Sequence, residues 1–315
     1  MNRILIIKMS SLGDLFHALP AVHLIKQHTG ATVDWVVHDL YADLAGCFTD
    51  VERVIAFPRR SFWRQRASFV AELRQERYDL ALDMQGLLKS ALVMRSVRAD
   101  RRIGPSFSRE GSRFFYDAVS GPRNKKRHAV EENLDTVRFL GIPMGPVEFP
   151  VRFPEVDLTV PRPRVGLLPC SRRADKNWPP ERFAEVARAL REKTDAHIVL
   201  LGSPADRPVC DALARSVGEG VTNLCGKTTM LELGGAVRAL DLLVTVDSGP
   251  MHVAAAVGTP TVAVFGPTDP VKTGPYGPLH RVVQQGEDLS RLPAAPVVVA
   301  ALQLLRGRRA SGAGA

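Results

Sequence analysis

The chain has few of the groups that several common chemistries require. Its 315 residues include only 4 cysteines, Cys47, Cys170, Cys210 and Cys225, and no two of them stand as Cys-x-x-Cys. That spacing argues against a disulfide framework or a zinc cluster, and it predicts reduced, buried thiols. The 8 histidines form no His-Glu-x-x-His pair and no other metal-ligand spacing, so no metal site is expected. No stretch approaches the roughly 18 consecutive apolar residues of a membrane span. The opening MNRILIIKMSSLGD meets a polar loop after a short apolar run, unlike a secretory leader, so a cytosolic location is expected. No Gly-x-Gly-x-x-Gly follows that first run, which disfavours a nicotinamide or flavin dehydrogenase. Gly226-Lys227-Thr228 has the ending of a P-loop, but Val221 stands where the first glycine belongs, and a nucleotide kinase is disfavoured as well.

Apolar residue types are plentiful. They make up 45% of the chain, enough for two cores of about 150 residues each. The net charge of +9 is distributed unevenly. Between Arg59 and Arg127 there are 17 lysines and arginines against 7 acidic residues; elsewhere there are 25 against 26. The whole surplus lies in one stretch of the first half, as expected of a face that meets phosphates or carboxylates. Its members include Arg59, Arg60, Arg64 and Arg66, then Arg123, Lys125, Lys126, Arg127 and His128. Arginine suits bidentate recognition of such groups. Little aromatic residue is interleaved beyond Phe62 and Trp63, and no nucleic-acid module is recognisable. An acidic small or lipid-borne partner is therefore favoured over RNA or DNA.

The periodicity alternates between strand and helix. Strands are predicted over 3–8, 31–37, 51–57 and 79–84, with helices through His28 and over 39–46, 61–77, 86–97 and 129–140. A Pro-rich passage, FPVRFPEVDLTVPRPR, follows. The alternation then restarts: strands over 165–169, 197–201, 242–246 and 261–265, helices over 180–193, 205–217, 229–239 and 250–257, and a last helix over 295–307. This pattern predicts an α/β chain of two doubly wound, Rossmann-like domains. The expected boundaries are 1–152, a linker over 153–163, and 164–294, with a flexible tail over 308–315. Open sheets of this kind bind ligands outside the carboxyl ends of their strands, so an interdomain cleft is the expected site.

Four strand-to-helix junctions could carry chemistry. Ser10-Ser11-Leu12-Gly13-Asp14 follows the first strand. Asp14 could cap the next helix, or it could serve as a carboxylate base for an attacking hydroxyl. Asp83-Met84-Gln85-Gly86-Leu87-Leu88-Lys89-Ser90 offers Lys89 and Ser90 to a substrate, while Asp83 and Gln85 could equally be capping groups. Ser171-Arg172-Arg173-Ala174-Asp175-Lys176 opens the second domain, where Lys176 is either solvated or placed to offset charge on a departing diphosphate. Val246-Asp247-Ser248-Gly249-Pro250-Met251-His252 joins a strand to a helix start whose free N–H groups suit an anion. A lone histidine such as His252 is more often structural. Gly266-Pro267-Thr268-Asp269-Pro270 lies on the same rim.

In order and spacing, KMSSLGDLFHALPA, DMQGLLKSAL, KKRHAVEENL, DKNWPPERF and VDSGPMHVAAAVGTPTVAVFGPTDP resemble the motifs of glycosyltransferase family 9, the ADP-heptose–lipopolysaccharide heptosyltransferases. The Gln-Gly-Leu-Leu-Lys-Ser and Arg-His-Ala-Val-Glu segments are closer to the branch that adds the first heptose than to the second. The resemblance implies a GT-B architecture with the last helix crossing back toward the first domain. It also implies inverting transfer of heptose from ADP-heptose to the inner Kdo of Kdo2-lipid A, with no cofactor required, by a peripheral protein at the cytoplasmic face of the inner membrane. Nucleic acid is not an implied partner. Asp14 then matches the general base, Lys176 the donor-phosphate lysine and Asp247 a heptose contact, while Ser248, Gly249 and His252 match the diphosphate turn. Ser248 stands where threonine is common and keeps the hydroxyl. Ser171, Arg172, Asp206 (for the ribose) and Thr228 complete the donor set. Ser10, Gly13, Arg59, Arg60, Arg64, Gln85, Lys89, Arg123, Lys126, Arg127 and His128 form the acceptor set. The alternatives are a family relative with another acceptor, including a protein heptosyltransferase, and a non-catalytic nucleotide or anion binder.

Overall fold

The computed structural model describes residues 1–124 and 126–312, with side chains as far as Gly307; Lys125 of the basic set lies outside the described residues. Two compact units divide the chain, the first spanning Met1–Arg152 and the second beginning at Phe153.

In the first unit the order is β1 (Arg3–Ile7), α1 (Leu12–Thr29), β2 (Thr32–His38), α2 (Ala42–Ala45), β3 (Arg53–Phe57), α3 (Phe62–Leu73), β4 (Arg77–Asp83), α4 (Leu88–Ser96), β5 (Arg98–Pro105), β6 (Ala118–Ser120) and α5 (Ala129–Phe139). The strands form one parallel sheet in the order β3-β2-β1-β4-β5-β6. β1 is the central, fully enclosed strand: Ile4 to Ile7 are all buried. Leu5 and Ile7 meet Phe69 and Leu73 of α3 and Val93 and Met94 of α4 in one core. The two-residue period of a strand turns Ile4 and Ile6 to the other face, and α1 packs against α5.

The second unit repeats the plan with β7 (Arg164–Leu168), α6 (Pro180–Thr194), β8 (His197–Leu200), α7 (Arg207–Val217), β9 (Val221–Asn223), α8 (Met230–Arg238), β10 (Leu242–Val246), α9 (Gly249–Ala256), β11 (Thr261–Phe265), α10 (Pro270–Thr273), β12 (His280–Gln284) and α11 (Ala295–Gly312). Its parallel order is β12-β11-β10-β7-β8-β9. The Pro-rich passage belongs to this unit by its packing. Phe153 and Leu158 are buried, and a Cβ on Gly234 would stand 2.3 Å from the Phe153 ring. α11 contributes Val297, Ala300, Ala301 and Leu305 to the core of the same unit. It continues through Gly312, five residues past the expected helix end, and 313–315 lie outside the described residues.

Both sheets reverse their winding at one point. The first runs outward from β1 to β2 and β3, then restarts on the far side of β1 with β4. The second runs from β7 to β8 and β9, then restarts on the far side of β7 with β10. At such a reversal the two flanking loops diverge and leave a crevice at the carboxyl edge. The β1–α1 and β4–α4 loops therefore flank the first crevice, and the β7–α6 and β10–α9 loops the second.

Candidate active-site loops at the two sheet reversals

At the first reversal the β1–α1 loop is held from below. Gln85 Oε1 accepts hydrogen bonds from Met9 N and Ser10 N, both at 3.1 Å. Gln85 is itself fixed by Asp83, whose Oδ1 accepts from Gln85 N at 2.8 Å and Gly86 N at 3.0 Å, while Oδ2 accepts from Tyr116 Oη at 2.7 Å. Burial raises the Asp83 pKa against those hydrogen bonds, and it raises that of the Tyr116 phenol too. Gly86 is required in this turn: its φ is +71° and a Cβ would stand 2.9 Å from Pro105. Gln85 and Asp83 thus brace the loop; neither caps a helix, since Ser11 is the N-cap of α1 and Leu87 that of α4.

Asp14 occupies the third position of α1. Its Oδ2 accepts from Ser11 N at 2.7 Å and Ser11 Oγ at 2.8 Å, completing a capping box with Ser11. The carboxylate is nevertheless 42% exposed, and Oδ1 lies 3.9 Å from His17 Nδ1. Capping and a solvent-facing carboxylate coexist in one side chain. Behind it, buried Lys8 donates from Nζ to Met84 O at 2.5 Å. Burial lowers the Lys8 pKa, opposed by the charges of Asp14, Asp83 and Glu132. Glu132, in the first turn of α5, has its carboxyl pushed up by burial and drawn back by Arg127. Lys8 and Glu132 were missed from the sequence: Lys8 was counted as the end of the first strand, although it opens the β1–α1 loop, and Glu132 lies within α5.

The predicted acceptor residues divide into two groups. Arg59, Arg60, Arg64, Arg123 and Lys126 are exposed. Lys89 sits 4.5 Å above the Phe57 ring, with its pKa lowered by burial and by the charge of Arg59, so the two cations converge. Arg127 is engaged elsewhere. Its guanidinium grips the buried Asp135 with both nitrogens, one of them at 3.0 Å. His128 is the N-cap of α5, accepting from Val130 N at Nδ1 (3.1 Å). Arg113 and Arg123 line a cavity of about 260 Å³ with Ser106, Ser108, Val119 and Gly121. Ser90, offered to substrate by the sequence, is buried, and its hydroxyl closes on Leu87 O at 2.8 Å.

The second reversal holds a tight polar cluster. Lys176 Nζ donates to Asp247 Oδ2 at 2.6 Å, and the same oxygen accepts from Thr268 Oγ1 at 2.6 Å. Both charged side chains are mostly buried, at 16% and 8% exposure. The three residues follow β7, β10 and β11, which are adjacent in the sheet. Thr268 was noted only as part of its rim; the Pro267-Thr268-Asp269 turn directly after a buried strand was its signal. Ser248 is the extended N-cap residue of α9 (φ −149°), its Oγ 3.2 Å from Thr245 Oγ1. Pro250 occupies the first turn, and His252 is buried. Ser171 N is anchored by Asn177 Oδ1 at 2.7 Å, while Arg172 is exposed.

Asp206 accepts from Ser203 N (2.8 Å) and Ser203 Oγ (2.7 Å), capping the turn Pro204–Asp206. It lies beside Cys170, whose thiol burial pushes up to about 12. Thr228 is half-buried, and its neighbour Thr229 caps α8. All four cysteines are free. Among the described residues no three His, Cys, Asp or Glu side chains gather as a metal site, and no helix is long and apolar enough to cross a membrane.

Two doubly wound parallel sheets are the architecture of the GT-B glycosyltransferases. In this chain, a carboxylate stands at the reversal of the first sheet, and a lysine and a helix start at that of the second. The family model described as glycosyltransferase family 9 (heptosyltransferase) matches residues 66–293, and the chain belongs to that family. The Haemophilus influenzae lipopolysaccharide core heptosyltransferase OpsX is 25% identical over 296 residues, covering 90% of this chain and 84% of the relative. Lipopolysaccharide heptosyltransferase 1 of Pseudomonas aeruginosa is 30% identical over 321 residues, 93% and 85% of the two chains. Among solved structures, the E. coli heptosyltransferase WaaC with ADP superposes with a TM-score of 0.86 at 29% identity, over 96% of this chain and 99% of that one.

Proposed function

We propose that this enzyme transfers L-glycero-D-manno-heptose, with inversion, from ADP-heptose to the inner Kdo of Kdo2-lipid A, working at the cytoplasmic face of the inner membrane. The observation that carries the reading is the placing of Asp14 and of the Lys176–Asp247–Thr268 cluster at the reversals of their own sheets. Membership of family 9 supports the sugar-transfer class, and likeness to relatives named heptosyltransferase 1 supports the choice of acceptor.

The chemistry divides between the units. Asp14 accepts the proton of the acceptor hydroxyl as that oxygen attacks the anomeric carbon from the face opposite the leaving group. The bond from that carbon to the diphosphate oxygen breaks, and the electron pair leaves on ADP. Lys176 and the free N–H groups at the start of α9 face the charge that accumulates on the diphosphate. With those groups supplying the offset, the proposal needs no metal, and a chelator should leave the initial rate unchanged. Asp247 holds Lys176 in place and presents its second oxygen to the sugar. The exposed cations Arg59, Arg60, Arg64, Arg123 and Lys126, joined by Lys89, take the acidic groups of the acceptor.

Purified enzyme given ADP-heptose should heptosylate Kdo2-lipid A, and mass spectrometry of the product reads this directly. Transfer only to an acceptor that already bears heptose would reject this acceptor in favour of the next step of core assembly. Binding of ADP-heptose without turnover on either acceptor would leave a nucleotide binder.

A further inference from the structure

Thr268 reaches Asp247 from a loop that can supply few hydrogen bonds to itself. Residues 266–270 run Gly-Pro-Thr-Asp-Pro, and the two prolines have no N–H to donate. The carbonyls of Gly266 and Thr268 are met instead by one side chain. Gln284 Nε2, at the end of β12, donates to Gly266 O at 2.8 Å and to Thr268 O at 3.0 Å. Two carbonyl oxygens fix the orientation of the amide, because only its nitrogen can donate to both.

β12 is the edge strand of the second sheet, and Gln284 pairs with Phe265, the last residue of β11. Its backbone therefore lies beside the point where the loop leaves the sheet. Residues 287–289 wall the loop as well: a Cβ on Gly266 would stand 2.8 Å from Leu289 Cγ and 3.0 Å from Glu287 O. The first unit braces a loop with the opposite polarity, since Gln85 Oε1 accepts from the amides of Met9 and Ser10. The 266–268 loop, however, delivers a hydroxyl. Thr268 Oγ1 donates to Asp247 Oδ2 at 2.6 Å, and the same oxygen receives Lys176 Nζ at 2.6 Å. With one oxygen held twice, the carboxylate cannot rotate without breaking two bonds, so its second oxygen keeps a fixed direction.

We propose that Gln284 is a positioning residue for the donor sugar. By bracing the loop it keeps the Thr268 hydroxyl on Asp247 Oδ2, which leaves Oδ1 for the sugar hydroxyls while Lys176 turns to the diphosphate. Gln284 thereby acts, through Thr268, on the preference for a nucleotide sugar over its nucleotide. The inference deepens the ADP-heptose reading and rests on it for the identity of the sugar, while the bracing itself is measured without a ligand.

The test uses the full chain with two substitutions. Gln284→Met keeps the reach of the side chain and removes the donor; Gln284→Glu sets an anion against the same two carbonyls. By calorimetry, Gln284→Met should weaken ADP-heptose about five- to tenfold, the scale of an ordinary hydrogen bond, and leave ADP within about twofold. Gln284→Glu should weaken ADP-heptose further. In a Thr268→Val background Gln284→Met should add nothing, because the hydroxyl it positions is gone. Equal losses for the two ligands, or a loss that adds to that of Thr268→Val, would reduce Gln284 to a structural brace and overturn the proposal. Hydrogen exchange over 266–274, read without ligand, should rise in Gln284→Met and stay parental in Gln285→Met, a change at the exposed neighbour; unchanged exchange in Gln284→Met overturns the proposal too. If the parent binds no ADP-heptose while exchange still rises, the proposed donor falls and the brace on Thr268 stands. Equal ADP-heptose affinity in parent and Gln284→Met gives the reverse.

Discussion

Asp14→Asn separates the capping that this side chain performs from the proton acceptance proposed for it. Asp14 Oδ2 accepts from Ser11 N and Ser11 Oγ, and an asparagine carbonyl oxygen can accept both bonds in the same geometry. What the substitution removes is the negative charge and the capacity to take a proton. On the stability side, the loss is confined to a first-turn anion at a helix start, worth roughly 0.3–1 kcal/mol when exposed, and this carboxylate is 42% exposed. For a unit of this size, that corresponds to a shift in Tm of about 2–4 °C or less. On the catalytic side, loss of a positioned general base costs about 10²–10⁴ in turnover. Asp14→Ala should match Asn in kcat but lose about 1 kcal/mol more stability, because the cap goes too. Initial rates with saturating ADP-heptose, thermal melts, and ADP binding by calorimetry make the three readouts. A kcat for Asn within a few-fold of the parent, with the melt unchanged, would refute Asp14 as the base and leave it a cap.

Lys176→Met should lower kcat about 10²–10³-fold, the scale for losing one donor to a developing anion; it should also lower the melting temperature, because Asp247 is left largely buried without its cation. Thr268→Val removes one of the two donors to Asp247 Oδ2 and should cost about tenfold in kcat/KM with the fold intact; parental kinetics would show Thr268 to be bystander packing. Arg59→Glu should raise the acceptor KM and leave ADP affinity intact, and a selective loss of donor affinity would contradict its assignment. Burial lowers the His280 pKa to about 4 from 6.5. The unfolded chain therefore binds the extra proton between those values, and stability present above pH 6.5 should fall by about 3 kcal/mol as the pH drops to about 4. In denaturant titrations across that range, His280→Gln should flatten the pH slope relative to the parent; equal slopes would refute the assignment.

The repeat of strand and helix was legible because the central strands are apolar on both faces. RILII, LLVTV and TVAVF lie within a residue of where the sequence puts them. Among the outer strands, β2, β3 and β8 were legible, whereas β5, β6, β9 and β12 were not. β5, RADRRIGP, carries three arginines and is buried only over its last three residues, and β9 is three half-buried residues. β12 exposes most of its length. Such strands are specified by ladder pairing with an existing neighbour rather than by an apolar pattern of their own. The same limit applied to the basic residues. Nothing local distinguishes Arg127 from Lys126, yet Arg127 turns inward because Asp135, eight residues on, is buried beneath it. Gln85 was counted with the acceptor for a similar reason: its partners, the amides of Met9 and Ser10, lie on a strand connection more than seventy residues away in sequence.

Under the proposed reaction, motif residues at these junctions serve structure and chemistry at once, and the two roles constrain each other. A lysine aimed at an anion site must be held there before the anion arrives, and Asp247 does so at 2.6 Å with Thr268 sharing the same oxygen. Pairing keeps both charges compensated in a mostly buried setting, where either alone would be costly. When a diphosphate comes in, it competes with Asp247 for the ammonium. Asp247 can be relieved only by something that donates to it, and the hydroxyls of a sugar do so. On this reasoning donor binding is an exchange of partners, which requires the nucleotide and its sugar together. ADP alone satisfies Lys176 but leaves Asp247 with Thr268 only. Calorimetry should therefore find Asp247→Asn weakening ADP-heptose far more than ADP, and equal losses for the two ligands would show that Asp247 serves the lysine alone.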